Sequence, residues 1–239
     1  IRSTSEWIAN LGLGLHFAGS GLAILSAFPI VETRSEPFGR RRCAGFDCLS
    51  NKGMLYAKIT IPGVPGAINL FNTHLNSQGA SRVSPQRHGR AHRLQVEELG
   101  NFVSAVGSPD IPTVLGGDFN MKGSAIRFER FRNVTEPFEI VHEWCTDQPL
   151  LCDTRISWDG DEPWMDTQDL QLFESGPSVQ ITPIRVEALF DGSDGSPGLP
   201  DHDGFRVTYR VSWQTRAGRP APANPNVRVD RRPVVGLHG

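Results

Sequence analysis

Apolar and polar residues alternate along several stretches of the chain, and this alternation predicts β-strands. Within Lys52–Ile61, the residues Leu55, Ala57, Ile59 and Ile61 occupy every second position, which predicts a strand with one fully apolar face. Shorter apolar or alternating runs predict further strands over Gly21–Ser26, Ala67–Thr73, Pro112–Leu115, Gln180–Phe190 and Phe205–Trp213. Because two Pro-Gly pairs lie between the strand that ends at Ile61 and the one that follows, these two strands are expected to form a hairpin.

Helical periodicity is clearest in the middle of the chain. The segment His92–Ala105 carries apolar residues at helical spacing, namely Leu94, Val96, Leu99, Phe102 and Val103. A short helix is predicted for Ser124–Phe131, whereas the polar segment Ser77–Arg90 is predicted to be a loop.

Composition narrows the class of protein. Of the 239 residues, 38% are hydrophobic and 21% are charged, which is typical of a globular domain. The 25 glycines and 18 prolines favour a turn-rich fold over a helical bundle. A net charge of −2 argues against a protein that holds nucleic acid by bulk charge, but it is compatible with an enzyme that contacts one or two phosphates.

The apolar stretch Gly21–Val31 is too short to cross a bilayer, so no transmembrane segment is predicted. Periodicity ends at Trp213. We therefore predict a domain over 1–213 and a Pro/Arg-rich extended tail over 214–239, which carries five arginines and one aspartate. A solvated tail is favoured over a weak contact with an acidic partner or nucleic acid.

The four cysteines form two close pairs, Cys43 with Cys48 and Cys145 with Cys152. Neither pair has the spacing of a zinc ribbon, and local pairing in an even number favours two small-loop disulfides over four reduced thiols. Disulfides in turn predict an oxidising compartment, which means an extracellular or periplasmic protein.

Three polar stretches adjoin apolar strands, and strand ends are where a rigid sheet presents side chains to a cleft: Asn72–Leu75, Gly117–Asn120 and Asp201–Asp203. On an extended backbone, Asp118 and Asn120 would share one face while Phe119 enters the core. The glycine before Asp118 is expected to let a substrate approach closely. Each stretch alone is weak, since a Gly-Asp-x-Asn sequence is most often a turn in which the Asp side chain bonds the backbone.

The order of the motifs is far more specific than any one of them. The stretches GSGLAILSAFPI, NKGMLYAKI, LFNTHLN, TVLGGDFN, DTQDLQLF and DHDGFRVTY, with the helix that carries Arg93 and Gln95, resemble the endonuclease/exonuclease/phosphatase superfamily, of the deoxyribonuclease and sphingomyelinase type. The resemblance runs from about Gly19 to Trp213. It implies an α/β fold: a four-layer sandwich of two mostly antiparallel β-sheets flanked by helices.

The resemblance also implies a reaction, which is metal-assisted hydrolysis of a phosphodiester. His202 resembles the general base of the family, and Asp169 resembles the carboxylate that orients it. Asp201 resembles a ligand of the divalent cation, which would be Mg²⁺ or another such ion, for example Mn²⁺ or Ca²⁺. A histidine suits the role of base because its pKa lies near neutrality.

Four further residues receive roles from the same resemblance. His74 resembles the histidine that contacts the scissile phosphate or the leaving group, and Asp118 with Asn120 resembles the pair that orients the attacking water and the phosphoryl oxygens. Lys52, just before a strand, resembles a lysine near the site in the sphingomyelinase-like branch, and it is predicted to bind substrate. The alternative for Lys52 is a turn residue with a solvated ammonium.

Two departures from the family pattern affect the functional prediction. Pro200 stands where a serine usually precedes the Asp-His pair, and no glutamate before Gly21 fits the usual magnesium ligand, since Glu6 is predicted in a helix or loop. The opening strands of the sandwich are therefore expected to be absent from this chain. It would be one piece of a longer protein, a chain completed by a second polypeptide or an N-terminal segment, or an inactive family member.

The predicted function is hydrolysis of a phosphodiester in nucleic acid or in a phospholipid such as sphingomyelin. The alternative is a catalytically inactive member that serves as a surface, scaffold or assembly protein. A basic segment after His74 would either grip a phosphate or be solvated surface, with the second reading preferred; it comprises Arg82, Arg87, His88, Arg90 and His92.

Overall fold

The computed structural model describes residues 19–153, 168–189 and 204–214. Within these ranges the strands are β1 (Ile30–Pro37), β2 (Gly53–Ile59), β3 (Ile68–His74), β4 (Thr113–Asp118), β5 (Glu139–Ile140), β6 (Cys152–Asp153), β7 (Asp169–Glu174), β8 (Val179–Leu189) and β9 (Gly204–Trp213). The α-helices are α1 (Pro85–Val106), α2 (Ala125–Thr135) and α3 (Val141–Asp147), and short 3₁₀-helices span Gly45–Leu49 and Pro149–Leu151. The predictions for residues 201 and 202 and for the tail beyond Gln214 lie outside the described residues.

Six strands form the larger sheet in the order β1-β2-β3-β4-β7-β5. The predicted hairpin is confirmed, because β2 pairs antiparallel with β3 from Met54 opposite Thr73 to Ile59 opposite Ile68. Strands β3 and β4 run parallel, with α1 as the crossover between them, and β7 pairs antiparallel with β4. The C-terminal ends of β3 and β4 therefore lie side by side, at the same end of the sheet.

Helices α1 and α2 cover one face of this sheet. The apolar stripe of α1 buries Val96, Leu99 and Phe102, and Phe131 of α2 joins them. Side chains from the sheet complete this core; they include Met54, Tyr56, Phe71, Leu115, Leu170 and Leu172. The helical period read from the sequence thus gives the correct core face of α1.

The second sheet has the order β6-β8-β9 and packs through a separate apolar cluster. That cluster joins residues of the larger sheet to residues of β8 and β9; it includes Ile59, Ile68, Phe173, Ile181 and Val186. The result is an α/β sandwich of two sheets with helices on the outer face of the larger one, which confirms the predicted fold class.

Two local predictions are wrong. Gly21–Ser26 is not a strand: Leu22 and Ile24 are buried against Leu55 and Ala57 of β2, as an alternating pattern requires, but the segment forms no backbone ladder with a described strand. The predicted loop Ser77–Arg90 ends early, because α1 begins at Pro85. Proline is favoured in the first turn of a helix, and this turn is polar because it faces solvent.

Both predicted disulfides are confirmed. Cys43 is bonded to Cys48 beside the first 3₁₀-helix, and Cys145 of α3 is bonded to Cys152 of β6. None of the helices in the described ranges is long and apolar enough to span a bilayer.

A buried histidine makes stability depend on pH. His142 in α3 is 1% exposed, with its ring 5.2 Å from that of Phe205, and burial lowers its pKa from 6.5 to about 4. The folded protein therefore holds a neutral imidazole where the unfolded chain would bind a proton. The free energy of unfolding therefore has its full value above pH 6.5. It decreases as the pH falls from 6.5 towards 4, because the unfolded chain then binds a proton that the folded protein does not.

Replacing His142 by phenylalanine should remove this dependence. In urea titrations between pH 6.5 and 4, the free energy of unfolding of the native chain should fall more steeply than that of the variant, by up to about 1.4 kcal/mol per pH unit. Equal slopes for the two proteins would contradict the assignment of a neutral buried imidazole.

Candidate active site

The parallel pairing of β3 with β4 brings two predicted site residues together. His74 lies opposite Asp118 in the register, and its Nε2 is 3.2 Å from Oδ2 of Asp118. The carboxylate of Asp118 is buried, whereas the imidazole of His74 stays partly open to solvent. A buried carboxylate bonded to a partly exposed imidazole holds that ring in one orientation while leaving it accessible from solvent.

Gly117 makes the close approach of these strands feasible. Its φ is +149°, and a Cβ added there would lie 2.0 Å from the carbonyl oxygen of Thr73. The expected reason for this glycine was access for a substrate. What the structure shows is a backbone contact that no side chain could tolerate.

Asn120 does not continue the strand, and the extended backbone predicted for it is wrong. Its φ is +50°, and its N–H donates to Oδ1 of Asp118 over 2.8 Å, so the segment is a turn closed by the aspartate side chain. Phe119 is fully buried, as expected. Asn120 reaches the same site as Asp118 through this turn, not through alternation along a strand.

The carbonyl oxygen of Leu75 joins Asn120 to Lys52. It accepts hydrogen bonds from Nδ2 of Asn120 at 3.0 Å and from Nζ of Lys52 at 2.9 Å. Because Leu75 directly follows His74, these bonds fix the amide and the ammonium beside the imidazole. Lys52 thus lies close to His74 and Asn120, and its role in binding substrate stays a prediction.

Lys52 is buried, so the alternative of a solvated turn lysine is wrong. Its Nζ is 2.9 Å from Oδ1 of Asp47, and the two side chains are 8% and 5% exposed. Burial lowers the pKa of Lys52, and attraction to the Asp47 carboxylate opposes that shift. The other oxygen of Asp47 accepts the N–H of Ser77 at 3.2 Å, so one carboxylate links the first 3₁₀-helix, Lys52 and the loop after β3.

Strand β7 begins with Asp169, beside the C-terminal end of β4. Asp169 lies opposite Asp118 in the register, and neighbouring residues in a ladder point to the same face. The next peptide continues this contact, because the N–H of Phe119 donates to the carbonyl oxygen of Gln168 at 2.7 Å. Asp118 contacts both His74 and Asn120 directly, and the carbonyl oxygen of Leu75 joins Asn120 to Lys52. Asp169 lies opposite Asp118 in the register, and Asp201 and His202 lie outside the described residues.

Sequence reasoning missed the side chains that hold the two site loops. Gln95 accepts the N–H of Asn76 at 2.6 Å, and Nε2 of His92 bonds the carbonyl oxygen of Phe119 at 2.8 Å. His92, at the start of the predicted helix, was also counted in the basic segment after His74, but it is buried in α1, and its pKa is lowered to about 3 by burial and by nearby Arg127. The available signal was a pair of polar residues within the buried stripe of an amphipathic helix.

A metal site was tested on the donor groups present. Asp118 and Asp169 offer the oxygen ligands that Mg²⁺ prefers. The described ranges nevertheless contain no group of three or more histidines, cysteines, aspartates and glutamates placed to hold an ion. They do not by themselves form the predicted cation site, and no chemical step is derived through an ion.

A sphingomyelinase C from Listeria ivanovii is 30% identical over 154 residues, which cover 62% of this chain and 44% of the relative. A phospholipase C from Staphylococcus aureus is 33% identical over 110 residues, which cover 46% of this chain and 32% of the relative. The chain spans less than half the length of these relatives, and no family model matches it.

Among solved structures, the crystal structure of a beta toxin from Staphylococcus aureus superposes with a TM-score of 0.54 at 22% identity, over 72% of this chain and 59% of the toxin. The fold is thus that of an α/β sandwich with polar side chains gathered at the ends of its central strands. These similarities support the predicted resemblance to the endonuclease/exonuclease/phosphatase superfamily, of the deoxyribonuclease and sphingomyelinase type.

Proposed function

We propose that this chain carries the catalytic residues of a phosphodiester hydrolase. The observation that supports this most directly is the contact of His74 with Asp118 at the shared end of two parallel strands, 3.2 Å between Nε2 and Oδ2. Two relatives, named sphingomyelinase C and phospholipase C, are 30% and 33% identical to this chain over 154 and 110 residues.

The roles proposed for the residues follow from their contacts. Asp118, buried and bonded to Nε2 of the imidazole, keeps His74 oriented so that Nδ1, the other ring nitrogen, can donate to an oxygen of the scissile phosphate when the ring carries both protons. Nδ2 of Asn120 is held by the carbonyl oxygen of Leu75, which fixes the plane of the amide beside the same cleft. A fixed donor and acceptor set of this kind lowers the cost of orienting a water and a phosphoryl group.

The remaining roles are proposed from the family resemblance. His202 would take a proton from the attacking water, Asp169 would orient it, and Asp201 would contribute a ligand to a divalent cation, with Mg²⁺ as the first candidate. The register of Asp169 opposite Asp118 supports its place beside the cleft.

The substrate class that we propose is a phospholipid with a phosphodiester headgroup of the sphingomyelin type. Support comes from the two bacterial relatives, whose sequence identity reaches 30% and 33%. A net charge of −2 is a weak basis for affinity towards nucleic acid, which supports the same choice.

The deciding experiment compares substrates and cation requirement. The 239-residue chain should release phosphocholine from sphingomyelin vesicles in buffer with Mg²⁺, lose that activity with EDTA, and regain it when Mg²⁺ is restored in excess. Activity on single-stranded DNA but not on sphingomyelin would overturn the substrate proposal. Hydrolysis that persists in EDTA would overturn the cation requirement, and no turnover of sphingomyelin, DNA or bis(p-nitrophenyl) phosphate would favour the inactive scaffold.

Location and domain organisation complete the proposal. Two formed disulfides support an extracellular or periplasmic site of action. The division into a domain over 1–213 and a tail over 214–239 is proposed from sequence composition. The described residues give no support to a second chain or an N-terminal segment that completes the sandwich.

A further inference from the structure

Arg127 in α2 is an unusual buried cation. Its side chain is 2% exposed, yet within the described ranges no carboxylate lies at ion-pair distance from it. Instead, its Nη1 donates to the carbonyl oxygens of Asn76 at 2.9 Å and Asn120 at 2.7 Å. Its Nη2 lies 2.7 Å from Nδ1 of His88 in α1.

The two carbonyl groups belong to the two loops that form the site. Asn76 stands two residues after His74, and Asn120 stands two residues after Asp118. One guanidinium nitrogen therefore fastens the loop after β3 to the loop after β4. The planar, rigid guanidinium has several donors in a fixed geometry, so it can hold both oxygens at once.

Burying the charged guanidinium of Arg127 costs desolvation free energy, which an apolar side chain of similar size would not incur. Burial lowers its pKa to about 10, with the Asp47 carboxylate opposing the shift, so the group stays protonated near neutral pH. Burial and the nearby guanidinium also lower the pKa of His88, which favours the neutral ring that can accept from Nη2. An apolar side chain would fill the same space without the cost of desolvating a cation.

We propose that Arg127 is a positioning residue for the hydrolytic site: it sets the separation between the loop that follows His74 and the loop that carries Asn120. This inference rests on the proposed function. The side chain does not touch the cleft itself. It acts through the backbone oxygen of Asn120, whose own amide and N–H contact Leu75 and Asp118.

The first test removes the guanidinium by Arg127→Ala and follows kcat and KM for bis(p-nitrophenyl) phosphate, a small substrate that avoids the vesicle surface. A misplacement of the loops should lower kcat by about 100-fold and change KM by no more than about threefold. Guanidinium chloride at a non-denaturing concentration should restore kcat by about tenfold, because the free ion can re-enter the vacated space. Arg127→Lys keeps a charge but lacks the fork, so it should stay impaired.

Arg132→Ala is the matched control. Arg132 lies in the same helix and also donates to a backbone carbonyl, that of Phe138 at 3.2 Å, but it contacts neither site loop. The control should lose stability with kcat unchanged. An Arg127→Ala protein that folds and keeps the native kcat, or one whose kcat guanidinium does not restore, would overturn the proposal.

A second measurement separates this inference from the proposed function. In ¹H–¹⁵N spectra, Arg127→Ala should shift the amide signals of Asn76 and Asn120 and the ring signals of His74, whereas Arg132→Ala should leave them in place. If the native chain hydrolyses nothing, the proposed function fails, and these shifts still decide whether Arg127 positions the loops. Should Arg127→Ala fail to fold, the same comparison is made with Arg127→Lys, and unshifted signals there would count against the proposal.

Discussion

Replacing Asp118 by asparagine is expected to lower kcat for phosphodiester hydrolysis by about 10³-fold. The substitution keeps the shape of the side chain but removes the charge, and its amide cannot accept at both oxygen positions. Oδ1 now accepts the N–H of Asn120, and Oδ2 lies 3.2 Å from Nε2 of His74. The imidazole would lose its orienting acceptor, and the loop would lose part of its anchor.

Asp110→Asn is the matched control for this variant. Asp110 is exposed and precedes β4, at the end of the strand opposite to Asp118. Initial rates with bis(p-nitrophenyl) phosphate and with sphingomyelin vesicles should match the native protein for the control alone. Native rates from a folded Asp118→Asn protein would remove this carboxylate from the proposed mechanism.

Replacing Lys52 by methionine should lower the free energy of unfolding by about 3–5 kcal/mol, because it leaves the buried carboxylate of Asp47 without its partner. Asp47 also accepts the N–H of Ser77, so the loop after β3 should loosen as well. Urea titration monitored by circular dichroism measures the loss.

Lys58→Met provides the comparison, since the same substitution there breaks an ion pair with Glu32 that is largely open to solvent. That pair should contribute no more than about 1 kcal/mol. The double variant Lys52→Met/Asp47→Leu should recover part of the stability lost by Lys52→Met, because no buried charge stays uncompensated. Equal losses for Lys52→Met and Lys58→Met would mean that Lys52 and Asp47 are not a buried pair in solution.

The parts of the fold predicted from sequence are those with strong local patterns. Strand β2 is a mostly apolar run that is buried on both faces, and α1 repeats its apolar residues at helical spacing, so the burial of each element was legible in the sequence. Strand β1 was missed because it lies at the sheet edge and carries mostly exposed, polar residues. Edge strands of this type are recognised by their pairing with a neighbour, which sequence periodicity does not record.

For the candidate site too, local motifs were visible in the sequence, whereas contacts between distant segments were not. The motifs around His74 and Asp118 were recognised as polar residues directly after apolar strands, and the structure pairs these two strand ends; the catalytic roles of both residues stay predictions. The geometry of Asn120 was not recognised, since a positive φ and a bond to Asp118 replaced the extended backbone. The pairing of Lys52 with Asp47 and the burial of Arg127 depend on contacts between segments far apart in the chain.

By itself, the sequence determined the hairpin, the amphipathic helix, both disulfide pairs and the two strand-end motifs, because each is encoded in residues close to one another. Only the tertiary structure decided how His74, Asp118 and Lys52 meet, since the parallel register of β3 and β4 and the buried carboxylate of Asp47 set those distances. The physical reason is that a local pattern specifies which face of an element is buried, whereas the position of a polar group depends on which distant partner satisfies it there.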